Sequence, residues 1–316
     1  MTITKEALKT TLLRNEQGQE AELDLSLMDI HRMVQKNEGG VYELSNCQVL
    51  TPEEHQRLHN NYADRSEEFE ELKSLMDARK QAMKAENGAN NRMKAYKRNV
   101  DRLDENTLQF CADQAESAKK HCNEIDKKVT KLINQLKESS ELLSQALNIP
   151  SVGAVTMANC LVYINLQKAD TVSKLWSYAG LHKPNYERYQ KGETSGGNKT
   201  LRTALYTFAQ SVIKSRSNNF PSPYLSVYDS EKAKKEVSEQ LTWTRNTQGK
   251  LVQVPWKETK PSHRNGHAIR QVMKFFLSDF HFVGRTLMGL PVRPVYAEDK
   301  LGHINISHPN NRGWNI

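Results

Sequence analysis

No two of the four cysteines, Cys47, Cys111, Cys122 and Cys160, form a CxxC pair. A disulfide framework and a cysteine-ligated zinc site are therefore not expected, and reduced, mostly buried thiols are. Aromatic residues make up only 7% of the 316 residues, and the mean hydropathy is −0.74. No run approaches the ~20 apolar residues a membrane helix needs, so spanning is excluded. The first residues, MTITKEALKTTLLRNEQ, carry charges where a secretory signal has its apolar centre, so the chain is expected in the cytoplasm. A P-loop, a dinucleotide fingerprint, HExxH and GxSxG are all missing. Acids are scarce in the second half, which works against a nuclease centre, because divalent metals need clustered carboxylates. His263 and His267 stand four apart, a helical spacing for a metal pair, but Arg264 and Arg270 flank them and no nearby acid or cysteine completes a shell. No cofactor, metal or catalytic residue is expected.

What the chain does have is a divided charge. The net charge of +8 separates into −4 over residues 1–147 and +12 over 148–316. A half this basic points to a polyanionic partner, nucleic acid or an anionic surface.

The expected fold is mainly all-α, in three parts. Residues 1–50 form a small mixed region in which NEGGVYEL suggests a turn into a strand. Residues 51–147 form a long antiparallel coiled-coil hairpin. Thr51-Pro52-Glu53-Glu54 has the cap, proline and acids of a helix start. The helix is expected to run to about Glu86, where Asn87-Gly88 and Asn90-Asn91 break it. Arg65 and Arg79 fall on its seam. The second helix shows Leu108, Cys111, Ala115, Ala118, Cys122, Ile125, Val129, Leu132 and Leu136 at alternating three- and four-residue spacings, interrupted at Ser139 and resumed at Leu143. Ala118 is expected in a tight seam.

Residues 148–316 are expected to form a compact basic helical domain. Ile149-Pro150-Ser151-Val152-Gly153 is a turn into a small-residue helix, Thr171 caps a short helix ending at Gly180, and a helix runs from near Asn198 to Lys214. A lysine-rich helical piece follows at 229–241, within a stretch, 216–262, that contains proline, serine and clusters of tryptophan or tyrosine. The last helix runs from near His263 to Met288.

The turn Pro150-Ser151-Val152-Gly153 offers helix N-terminal amides suited to a phosphate, or is only structural, and two further stretches combine cations, amides and rings as nucleic-acid contacts do. One is Lys183, Tyr186, Arg188 and Lys191, continuing into Asn198, Lys199 and Arg202. The other is His263, Arg264, Asn265, His267, Arg270 and Lys274, whose cations fall near one helix face. Cations would neutralise phosphates, tyrosines would stack, and the two asparagines would read base edges or the 2′-hydroxyl. A solvated charged face is the alternative.

The runs IPSVGAVTMANCL, SKLWSYAGL and SGGNKTLRTALY resemble, in this order, the C-terminal domain of insertion-sequence transposases that use a RuvC-like domain and a bridge RNA. The likeness covers about residues 148–215. That family's acidic RuvC-like domain has no counterpart here, and its loop serine is replaced by KPNYERYQKGE. Over about residues 52–300 the chain also resembles Nop-domain proteins, in its coiled-coil hairpin followed by a basic domain with SHRNGHAIRQVMKFFLSDFHFVGR. It looks closest to the nuclease-free Tas proteins of TIGR systems. The resemblance implies a non-catalytic protein that binds a guide RNA, recognises target DNA through pairing and forms a homodimer through the coiled coil. The alternative is a divergent or truncated transposase acting in DNA recombination, with Tyr186, Tyr189 or Ser195 as the nucleophile. A purely structural coiled-coil scaffold is a third reading, and it leaves the +12 half unexplained.

Overall fold

The computed structural model describes residues 29–32, 46–50, 67–98, 104–182, 196–293 and 308–316. Backbone contacts divide the chain into two units, Met1–Ser66 and Glu67–Ile316. In the first, β1 (Asp29–Arg32) pairs antiparallel with β2 (Cys47–Leu50), with Ile30 opposite Val49. Ile30, Cys47, Val49 and Leu50 are buried. The turn expected at Asn37–Gly40 lies outside the described residues.

The second unit is mainly helical. It contains α1 (Glu67–Arg98), α2 (Glu105–Ser139), α3 (Glu141–Asn148), α4 (Ala154–Tyr163), α5 (Val172–Tyr178), α6 (Lys199–Lys214), α7 (Leu225–Val237) and α8 (Pro261–Leu287). A ribbon of β3 (Leu241–Arg245) and β4 (Leu251–Pro255) stands between α7 and α8.

The long hairpin is α1 against α2, each roughly 50 Å long at ~1.5 Å per residue. Arg79 grips Asp126 (2.5 and 3.2 Å), and farther along α1 Arg92 reaches back to Gln114 (2.8 Å), so the helices run antiparallel. Cys111, Ala115, Cys122, Ile125, Val129 and Leu132 form the buried stripe of α2, facing Leu72, Met76, Ala82 and Ala89 of α1. Asp104 starts α2 by accepting from the backbone of Asn106 and Thr107 (both 3.2 Å).

Three expectations need correction. α1 does not stop at Glu86 but continues through Asn87-Gly88 to Arg98. A mid-helix glycine costs about 1 kcal/mol, and burial of Ala89 with the Arg92–Gln114 bond outweighs it. The second helix does not resume through Ser139. Ser140, in extended conformation, ends α2 and caps α3 through its side chain. Ala118 is half-buried rather than locked in the seam; it borders an open groove along the hairpin of about 920 Å³, with Ala82, Ala85 and Gly88 opposite.

The hairpin base and the basic helices share their packing. Leu143 and Ala146, just before the expected 147/148 boundary, lie in the main core, while Ala158 of α4 packs among Ile125, Val129 and Ile133. α8 is the axis of that core. Ala268, Ile269, Val272, Met273, Phe276, Leu277, Phe280 and Val283 are buried along it, and Phe276 lies against Phe208 (centroids 4.4 Å), Tyr224 (5.8 Å) and Trp314 (6.4 Å). At its C-terminal end His281 and Arg285 hold the carbonyl of Ala169 (2.6 and 3.1 Å). Among the described residues no helix is long and apolar enough to cross a membrane.

Candidate nucleic-acid interface

Two motifs singled out from the sequence close on one another. Gly180 ends the α5 turn at φ +68°, and Gly197 precedes α6 at φ +93°. A Cβ on Gly197 would lie 2.6 Å from the Gly180 nitrogen, so the two backbones touch where only glycine fits. Asn198 then secures the junction. Its backbone N–H donates to the Tyr178 carbonyl (2.5 Å), its side-chain amide donates to the Tyr178 hydroxyl (3.0 Å), and its carbonyl oxygen caps α6 at Leu201 (3.0 Å). Arg202, one turn on, donates to the Gly180 carbonyl (2.9 Å), and Arg270 of α8 donates to the Leu181 carbonyl (3.1 Å). The α5 and α6 ends of the basic loop are thus fixed beside two guanidinium groups. The loop residues Lys183, Tyr186, Arg188 and Lys191, and the nucleophile candidates Tyr189 and Ser195, lie outside the described residues.

Between α6 and α8 runs a cleft of about 400 Å³, lined by Arg202, Thr203, Tyr206, Ser262, Asn265, Gly266, Ile269, Arg270 and Met273. Its lining contains no acid. Tyr206 is 49% exposed and offers a ring, and Lys199 is exposed on the first turn of α6. The cations on the α8 side repel one another. Burial and then the charge of Arg202 hold Arg270 below its ordinary value; burial and then Arg270 do the same to Lys274. The Lys274 ammonium sits over the Trp176 ring, 4.9 Å from its centroid.

The rest of the expected α8 stripe is turned inward. His263 and His267 lie against Trp256 (centroids 5.1 and 4.8 Å), with the Lys235 ammonium over the same ring at 5.0 Å. His267 Nε2 is 3.6 Å from Glu231. Burial, then His267, lowers the His263 pKa. Arg264 donates to the carbonyls of Lys257 (3.0 Å) and Thr259, and Asn265 accepts from the Tyr228 hydroxyl (2.6 Å). These side chains hold α7 and the base of the β-ribbon onto α8. The sequence stripe therefore divides. Arg270 reaches the cleft directly and Lys274 belongs to the same charged row. Asn265 lines the cleft while holding Tyr228, and His263, Arg264 and His267 clamp the ribbon. Among the described residues no group of three His, Cys, Asp or Glu side chains could hold a metal.

Tyr206 and Thr203 were not among the expected contacts. Tyr206 stands four residues after Arg202, on the same face of α6, and that spacing was the available signal.

Residues 143–225 match the family model described as Transposase IS116/IS110/IS902 family. The matched segment runs from α3 into α7 and holds the IPSVGAVTMANCL, SKLWSYAGL and SGGNKTLRTALY runs and Arg202; it is a transposase-related segment within a longer chain. No curated protein and no solved structure matches the chain. The likeness to Nop-domain and Tas proteins has no counterpart among these findings.

Proposed function

We propose that this chain is a nucleic-acid-binding protein of the insertion-sequence transposase kind, working in DNA recombination, and that it holds a phosphate backbone in the cleft between α6 and α8. The observation that carries the reading is the row of like charges, Arg202, Arg270 and Lys274, beside an acid-free cleft at the edge of the transposase-related segment. Gathering the half-buried Arg270 and Lys274 beside the exposed Arg202 costs free energy in the free protein, and an entering phosphate relieves it. Thr203 and Ser262 supply hydroxyls of the kind that bind phosphate and sugar, and Gly266 lets a backbone approach closely.

Binding of duplex DNA, measured by fluorescence anisotropy, should weaken steeply with salt. The double variant Arg202→Ala/Arg270→Ala should bind roughly 10- to 100-fold more weakly at about 0.1 M salt and flatten the log–log salt slope by about 2. Both arginines also hold backbone carbonyls, so Lys274→Met, which spares those bonds, serves as the second variant. Affinity indifferent to salt and to all three substitutions would refute the cleft as the interface. A covalent DNA adduct would add strand cutting to the reading, through Tyr186, Tyr189 or Ser195.

The length of the α1–α2 hairpin beside a basic helical part supports a second reading, an RNA-guided adaptor without chemistry of its own. A discrete short RNA co-purifying with the protein would favour it. This second reading includes pairing of two copies through the hairpin, at the groove that Ala118 borders. Because Ala118 borders open space, Ala118→Glu should leave the hairpin folded and convert a dimer to a monomer in light scattering. A variant that remains dimeric would place the contact elsewhere.

A further inference from the structure

The β3–β4 ribbon lies beyond the transposase-related segment and is not used by the cleft. Residues 240–257 contain no Asp or Glu, and include Arg245, Lys250 and Lys257. Lys257 is engaged by Glu239 (2.5 Å) at the ribbon's base. Trp243 pairs with Gln253 and Arg245 with Leu251, so Leu241, Trp243, Arg245, Leu251 and Gln253 share one face. That face is the outer one: Leu241 is 58% exposed, Leu251 42% and Trp243 37%, while Thr242 on the other face is buried.

The ribbon is held at both ends. At the tip, Asn246 accepts from the backbone of Gln248 (3.0 Å) and Lys250 (2.9 Å), Gly249 takes φ +78°, and Arg245 donates to the Gly249 carbonyl (2.8 Å). At the base, Trp256 is buried against His263 and His267, on the same first turns of α8 that carry Ser262, Asn265 and Gly266 into the cleft. A rigid, acid-free ribbon with an apolar and forked-donor face does not repay its exposure in water. It fits a polyanion with a groove as wide as two strands.

We propose that this ribbon is a second, sequence-reading contact that enters the major groove of duplex DNA. The proposal rests on the nucleic-acid reading above and goes beyond it by assigning base readout to a separate element. The B-form major groove admits a two-stranded ribbon, whereas the A-form RNA major groove is too deep and narrow. Arg245 has the fork that matches guanine, Gln253 the amide that matches adenine, and Leu241, Leu251 and Trp243 the apolar surface that meets thymine methyls. Lys250, at the tip, takes a phosphate.

The test uses the full chain carrying Trp243→Ala, Arg245→Ala and Gln253→Ala together, all exposed positions, with thermal melting as the control for folding. Probes are a duplex DNA pool of random sequence about three helical turns long and a duplex RNA of the same length, each in anisotropy titrations, and the DNA pool is also put through selection and sequencing. The wild type should enrich a short sequence from the pool. The variant should lose that enrichment and bind the enriched DNA at least tenfold more weakly, while its affinity for duplex RNA stays within twofold. Unchanged enrichment and affinity overturn the proposal. A halved mass in light scattering with DNA binding intact also overturns it, and assigns the face to a second protein copy. If Arg202→Ala/Arg270→Ala loses DNA while the ribbon variant does not, the ribbon proposal falls and the cleft reading stands. If the wild type binds no duplex DNA at all, both fall.

Discussion

Arg312→Ala should lower the stability of the Glu67–Ile316 unit by about 3–5 kcal/mol, because it strands a buried charge. In a unit of this size that corresponds to a fall in Tm of about 6–20 °C. Asp279 of α8 is 1% exposed and receives Arg312 through two bonds of 2.6 Å. The Tyr224 hydroxyl donates to the same carboxylate (2.6 Å) and accepts from the Trp314 indole (2.8 Å). This network ties the last residues of the chain and the end of the transposase-related segment to the axis of the core. Burial pushes the Asp279 carboxyl up, and Arg312 opposes that. Without Arg312 the rise is larger, since only the Tyr224 hydroxyl and His308 still oppose it, and a carboxyl whose folded pKa is raised favours folding at pH below that value and opposes it above. The deficit relative to wild type should therefore shrink as the pH is lowered toward about 4.5. A deficit that is the same at every pH would mean that lost packing over Phe275, not the charge, is responsible. Arg312→Met/Asp279→Asn, which removes both charges and keeps an acceptor for Tyr224, should recover part of the loss.

The elements most legible in the sequence are those that a single neighbour determines. The α2 stripe from Cys111 to Leu132 faces one helix, so its spacing alone reports the burial. Thr171 caps α5 as expected, because a cap is a local bond, whereas Asn198, expected to read base edges, instead caps α6 and holds Tyr178. The misreadings occur where a distant contact overrides a local preference. Asn87-Gly88 reads as a break, but Ala89 is buried against α2 and the helix continues. The β-ribbon was hidden because each strand has five residues, and a Thr–Trp–Thr or Val–Gln–Val alternation that short is lost among prolines and aromatics. The α8 cations illustrate the same limit at the site. At ~100° per residue they do share a face. However, the helix has neighbours on several sides, and only the structure shows that Trp256 takes His263 and His267 while the cleft lies about a quarter turn away, along Ser262, Gly266, Ile269 and Met273. The order of the transposase-like motifs was legible, and their reason was not: it is a contact between Gly180 and Gly197, 17 residues apart in sequence.

That contact leads to the second large effect. Gly197→Ala should cost several kcal/mol, and Gly180→Ala about 1–2. Both positions have positive φ, so both substitutions pay left-handed backbone strain. The difference lies in the space available. At Gly180 a Cβ meets the Gly196 carbonyl oxygen at 3.4 Å and the end of the Arg202 side chain at 3.5 Å, which can yield. At Gly197 it meets the Gly180 nitrogen at 2.6 Å, the Gly180 Cα at 2.8 Å and the Tyr178 oxygen at 2.9 Å, all backbone atoms fixed by the α5 turn. The junction has to open, and Asn198 then loses its bonds to Tyr178 and its cap on α6, worth about 1 kcal/mol. Arg202, one turn later, moves off the cleft edge. Thermal melting should rank wild type above Gly180→Ala and both well above Gly197→Ala, and at a temperature where all three are folded, Gly197→Ala should show the largest loss of DNA affinity. Equal melting of the two glycine variants would mean that the α5 and α6 ends do not close on each other, and the placement of Arg202 beside Arg270 would lose its structural basis.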